Sequence, residues 1–132
     1  VIFIDASAMI AILTQESDAA NLADRLETAS ERLCSAISVW ETVAGLCRSY
    51  RFTVPTARED VARFLEAGDI RFTPIGEREH RIATDAYARF GKGRSTAALN
   101  MGDCFAYACA KSNNARLLFK GDDFTRTDIE PA

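Results

Sequence analysis

Val1-Ile2-Phe3-Ile4 is apolar at every position and stops at an acid, Asp5. A strand with one wet face alternates apolar and polar residues, whereas an unbroken apolar run needs cover on both faces. The segment therefore predicts a central strand of a parallel sheet with helices on either side. The rest of the chain alternates in kind. Residues 7–13 continue as a short apolar helix. Residues 18–29 carry Ala19, Leu22, Ala23, Leu26 and Ala29 at helical spacing. Leu33-Cys34-Ser35-Ala36 predicts a short strand. Ser38 then caps a helix with Val39, Trp40, Val43, Ala44, Cys47 and Tyr50, in which Trp40 is read as core. Thr56 caps another, with Val61, Phe64 and Leu65 inward. Ile70-Arg71-Phe72-Thr73 is a strand ended by Pro74 and Gly76. Residues 77–90 form a helix, Gly91-Lys92-Gly93-Arg94-Ser95 a basic loop, and Asn100 opens a helix apolar on nearly every side. Leu117-Leu118-Phe119 is a last central strand. Strands alternating with helices imply an α/β sandwich of three layers, α/β/α, around a mostly parallel sheet. With 132 residues and no linker or repeat, residues 1–132 are expected to form one domain.

Composition narrows the function. Hydrophobic residues make up 48% and charged residues 27%, which excludes disordered and fibrous classes. The longest apolar runs, Ala8–Leu13 and Cys104–Ala110, fall far short of the ~20 residues a bilayer requires. The net charge of −3 excludes nucleic-acid binding by bulk charge alone, though not local contact with phosphates. Cys34, Cys47, Cys104 and Cys109 lie in apolar stretches at spacings that match no zinc pattern. With no secretory leader pattern at the start, a reducing cytoplasm is the expected setting.

Four acids stand at the ends of buried elements. Asp5 follows the first strand, where ligands bind in open α/β sheets, although Asp is also a common helix cap. Glu41 lies three residues after Ser38, the spacing of a capping box, and Thr56-Ala-Arg-Glu59 repeats that spacing. Asp103 sits in the first turn of the most apolar helix, where the helix dipole favours an acid but apolar neighbours penalise its charge. Asp122 and Asp123 follow the last strand in an ordinary turn sequence. Each acid alone has an innocent explanation. Together, in a parallel layered fold, they share one edge of the sheet and repel without a counterion. Oxygen-only ligands select hard cations, so Mg²⁺ or Mn²⁺ is implied. His80, the only histidine, lies in a charged helical face, which leaves out a histidine triad or a histidine-rich zinc site.

Ile4-Asp5-Ala6-Ser7-Ala8, Ser38-Val39-Trp40-Glu41, Asn100-Met101-Gly102-Asp103-Cys104-Phe105-Ala106-Tyr107 and Leu117-Leu118-Phe119-Lys120-Gly121-Asp122-Asp123-Phe124 resemble, in order, the PIN-domain family and within it the VapC toxins. Thr127-Asp128-Ile129 resembles the family's closing segment. The resemblance implies an endoribonuclease, a hydrolase of phosphodiester bonds. It implies an acidic quartet holding Mg²⁺ or Mn²⁺, a homodimer, and inhibition by a VapB-type antitoxin. Carried over by position, the quartet is Asp5, Glu41, Asp103 and Asp122, with Asp123 open as the fourth acid and Ser7 beside the metal. Transfer RNA is the expected substrate and messenger RNA the alternative.

In the expected mechanism, Asp5 and Asp103 ligate the metal, and Glu41 and Asp122 orient water or hold a second ion about 4 Å away. RNA near such acids needs flanking bases, for which Arg89, Lys92, Arg94 and Lys120 are the candidates. An antitoxin groove is expected near Ile10, Leu13 and Leu46. Three rival readings are a phosphatase of the haloacid dehalogenase type, a receiver-like phosphoacceptor and a catalytically inactive PIN-like binding module. The first needs a second acid at the position of Ser7. The second needs paired acids after the first strand. The third would not need all four acids.

Overall fold

The computed structural model describes residues 1–132. Ten elements follow one another: β1 (Ile2–Ile4), α1 (Ala6–Leu13), α2 (Ala19–Glu27), β2 (Arg32–Cys34), α3 (Ala36–Tyr50), α4 (Val54–Ala67), β3 (Ile70–Phe72), α5 (Glu77–Phe90), α6 (Met101–Ser112) and β4 (Arg116–Leu118). The strands form one sheet in the order β3-β2-β1-β4, and every pairing is parallel. Phe3 lies in register with Leu33 of β2 and Leu117 of β4.

The alternation of side chains along a strand sorts β1 between two cores. Phe3 points with Leu33 and Leu117 into a core closed by α5 and α6. Ile2 and Ile4 point with Cys34 and Leu118 into a second core closed by α1 through α4. All three residues of β1 are buried, which explains its unbroken apolar sequence. The edge beyond β4 is blunted by the chain end: the Leu117 amide donates to the Glu130 carbonyl at 2.9 Å, and the Ala132 amide to the Leu117 carbonyl at 2.9 Å. No helix is long and apolar enough to cross a membrane.

The chain runs outward from β1 to β2 and β3, then returns to place β4 on the other side of β1. That reversal makes the β1/β4 pair a topological switch point, and a crevice opens beyond the carboxyl ends of such strands. Asp5 stands at that end of β1, and its amide donates to the Leu118 carbonyl at 2.9 Å.

Two helix starts lie three residues earlier than the sequence suggested. The cap of α3 is Ser35, whose hydroxyl accepts from the Ser38 amide at 3.1 Å while Ser38 Oγ accepts from the Ser35 amide at 2.9 Å. The cap of α4 is Thr53, which accepts from the Thr56 amide, with Pro55 in the first turn. A hydroxyl can fill either half of a capping box, so the spacing to Glu41 and Glu59 marked the wrong partner. Glu41 therefore has no capping duty.

Helix α3 is also turned differently from the expectation. It buries Ser38, Thr42, Gly45 and Leu46, with the Thr42 hydroxyl donating to the Ser38 carbonyl at 2.7 Å. The stripe of Val39, Val43 and Cys47 instead lines an open groove with Val54 and Phe72, and Trp40 is 69% exposed there rather than in the core.

Ser35→Ala is expected to lower folding stability by about 1 kcal/mol. Glu41→Ala should cause no loss in metal-free protein. Urea denaturation of the two variants checks this; the opposite pattern would restore Glu41 as the capping partner.

Candidate functional site

The two central carboxylates are held by their own helix starts. Asp5 caps α1 and is 5% exposed. Its Oδ2 accepts from the Ser7 amide at 2.9 Å and from Ser7 Oγ at 2.5 Å. Ser7 Oγ in turn accepts from the Lys120 amide at 3.0 Å, which ties the segment after β4 to the Asp5 turn. Asp103 is the third residue of α6 and shares a capping box with Asn100. The Asp103 amide donates to Asn100 Oδ1 at 2.9 Å, and the Asn100 amide donates to Asp103 Oδ2 at 3.1 Å. Asp5 as a cap and Asp103 as the partner of a capping residue are thus site candidates with a structural duty as well, each with one oxygen, Oδ2, engaged.

Glu41 reaches the same place from α3. Its carboxylate lies against Gly102, next to Asp103: a Cβ at Gly102 would fall 2.1 Å from both Glu41 oxygens. Two further acids, Asp122 and Asp123, lie in the loop after β4. Asp122 and Asp123 are both exposed, but it is the charge of Asp123 that reaches Asp5 and Asp103. The Asp122 carbonyl accepts from the Thr125 amide and hydroxyl in the local turn.

Burial and mutual repulsion raise these acids. Asp103 is pushed up to about 7, first by burial and then by the charges of Asp5, Asp123 and Glu41, against the Asn100 amide bond. Glu41 is pushed up to about 6 by burial and by Asp5, with Arg48 opposing weakly. Burial raises Asp5 despite the Ser7 hydrogen bonds. No ion pair reaches Asp5, Glu41 or Asp103.

The donor set fits a hard divalent cation, since it offers only oxygen and its charge is unbalanced. No three His, Cys, Asp or Glu side chains close into a ready-made cage. A cation here would keep much of its water, as Mg²⁺ commonly does.

The expected basic flank is divided. Lys120 is engaged by Glu16 and by Asp18 at 3.2 Å, and Glu16 also accepts from the Tyr50 hydroxyl. Arg89 pairs with Asp128 at 3.6 Å and lies over the Phe90 ring. Lys92 and Arg94 are exposed, with Arg94 5.0 Å over the Tyr87 ring and Lys92 at an open cavity shared with Asn100 and Met101. His80 is exposed, as expected. Leu46 is fully buried and cannot line a groove. Sequence reading missed Gly102, whose importance depends on where Glu41 lies.

The family profile described as PIN domain matches residues 2–130. A VapC ribonuclease of Rhizobium meliloti (strain 1021) is 38% identical over 139 residues, covering 96% of this chain and 98% of that relative. Ribonuclease VapC30 of Mycobacterium tuberculosis (strain ATCC 25618 / H37Rv) is 40% identical over 126 residues, covering 96% of this chain and 94% of its own length. Among solved structures, the Mycobacterium tuberculosis toxin VapC20, described as cleaving the sarcin–ricin loop, superposes with a TM-score of 0.76. It is 16% identical and covers 100% of this chain and 98% of its own. VapBC2 from Rickettsia felis, bound to a promoter DNA fragment, gives a TM-score of 0.73 at 14% identity, covering 98% and 95%. These superpositions support the shared fold.

Carboxyls held up at about 6 and about 7 keep protons that the unfolded chain has already lost. Between about pH 4 and pH 7 the folded state therefore binds more protons, and stability falls as pH rises through that window. Below it neither state carries the penalty; above it the penalty is complete. Metal-free protein should melt lower at about pH 7.5 than at about pH 5, with a smaller drop in Asp103→Asn. Mg²⁺ should recover more of the loss at the higher pH. Scanning calorimetry checks this, and equal pH dependence in both proteins would contradict it.

Proposed function

The chain belongs to the PIN domain family, and on that premise we propose that it is a metal-dependent endoribonuclease, the toxin of a VapBC-type pair. The observation that carries this reading is the convergence of Asp5, Glu41, Asp103 and Asp123 at the β1/β4 switch point, with no ion pair to Asp5, Glu41 or Asp103. The family match and the names of the 38–40% identical relatives support RNA as the substrate. Transfer RNA remains the proposed target.

Asp5 and Asp103 would hold Mg²⁺ or Mn²⁺. When bound, such an ion supplies an acidified water and positive charge for the phosphate oxygens. The residues set the geometry. Ser7 fixes the Asp5 carboxylate through Oδ2, and Asn100 fixes Asp103 in the same way. Glu41, raised to about 6, is largely ionised near neutral pH and basic enough to take a proton from water at its carboxylate. Asp123 completes the ring of acids, in preference to Asp122, because its charge is the one that reaches Asp5 and Asp103. Exposed Lys92 and Arg94 are the bases best able to meet RNA phosphates, since Arg89 and Lys120 already face acids.

A VapB-type antitoxin and a second copy of the chain are the proposed protein partners. The open apolar groove of α3, α4 and β3, with Trp40, Val54 and Phe72 exposed, offers a landing surface for a protein.

Asp5→Asn and Asp103→Asn are expected to cut RNA cleavage in Mg²⁺ by at least ~100-fold, with the fold retained by circular dichroism. Asp123→Asn should lose more activity than Asp122→Asn. Sequencing RNA ends after expression, against the Asp5→Asn control, reads the target. An Asp103→Asn protein cleaving at the wild-type rate would overturn the assignment, and a larger loss from Asp122→Asn would move the fourth position there.

A further inference from the structure

Three glycines would meet serious overlap if given a side chain, and they differ in what they would strike. At Gly91 a Cβ would fall 2.4 Å from the Tyr87 carbonyl, which is backbone and cannot move cheaply. At Gly45 it would strike Ile10 at 2.6 Å, in the contact between α1 and α3. At Gly102 the three nearest atoms all belong to the carboxylate of Glu41, with Oε1 and Oε2 at 2.1 Å and Cδ at 2.2 Å. Gly102 is the second residue of α6 and has no left-handed backbone to explain the glycine. Helix propensity also disfavours glycine there.

We infer that Gly102 is a positioning residue: the space left by its missing side chain holds the Glu41 carboxylate against the first turn of α6, beside Asp103. This rests on the assignment of Glu41 to the site. The end of a glutamate side chain is flexible, so a methyl group at position 102 would evict the carboxylate rather than break the helix. Asp5 and Asp103 have hydrogen bonds to hold them, whereas Glu41 is placed by shape. Gly102 thus serves the site, while Gly45 and Gly91 serve the fold.

The test is a cycle of wild type, Gly102→Ala, Glu41→Ala and the double variant, with melting of metal-free protein and RNA cleavage as separate readouts. In the Glu41→Ala background, Gly102→Ala should raise Tm by about 3–5 °C, the ordinary gain of alanine over glycine in a helix. In the wild-type background the gain should be absent, because the added methyl overlaps the Glu41 carboxylate and forces that side chain into another conformation. Cleavage should fall roughly 10- to 100-fold in Gly102→Ala, with no further loss on adding it to Glu41→Ala. If Gly102→Ala fails to fold but the double variant folds, the contact is supported; if neither folds, the glycine is needed by the backbone and the inference falls. An equal Tm gain in both backgrounds, with wild-type cleavage by Gly102→Ala, would overturn it. Should Glu41→Ala itself cleave normally, the functional reading fails, and the melting cycle still decides the contact.

Discussion

Burial of carboxylates, compounded by their mutual repulsion, is the constraint around which the site is organised. Asp5 and Asp103 are almost out of solvent, Glu41 is partly so, and the charge of Asp123 reaches the first two. Like charges in poorly solvated surroundings raise one another's proton affinity unless a cation intervenes. The protein supplies no such cation at close range. The fold makes the crowding unavoidable, since β1 and β4 are neighbours in a parallel sheet and their carboxyl ends open on the same crevice.

Different means hold the acids in place. Asp5 is locked by a serine that is itself tied to the segment after β4. Asp103 is locked by a reciprocal pair of hydrogen bonds with Asn100. Both arrangements are helix caps, so the interactions that start α1 and α6 also orient the site. Glu41 is free of capping because α3 is opened by Ser35 and Ser38, and it meets Gly102 at the start of α6. The helix dipole at that start opposes the cost of burying the negative charge without cancelling it.

Much of this was legible in the residues because it is local. The β-branched apolar run that ends at Ile4 reads as a strand covered on both faces, which Ile2–Ile4 is while Val1 stays exposed, and an acid directly after it stands at the strand's carboxyl end. Asp103 was legible because an acid in the first turn of an otherwise apolar helix is an anomaly that needs a reason. The starts of α3 and α4 were misplaced because Ser38 and Thr56 are equally good at either half of a box. Pro55 was the signal that favoured Thr53. The stripe of Val39, Val43 and Cys47 showed which residues share a face, but periodicity does not say what covers that face, and here it lines an open groove. Asp122 and Asp123 are adjacent in a turn, so the path of that turn decides which charge reaches the others. Gly102 was hidden because its role depends on Glu41, which is far away in the chain.

Diffraction at the manganese edge from crystals soaked in Mn²⁺ tests the central claim most directly. The account predicts an anomalous peak between Asp5 and Asp103, with carboxylate oxygens of both about 2.0–2.3 Å away and water filling the remaining positions. A manganese ion bound elsewhere, with Asp5 and Asp103 unligated at saturating concentration, would contradict it.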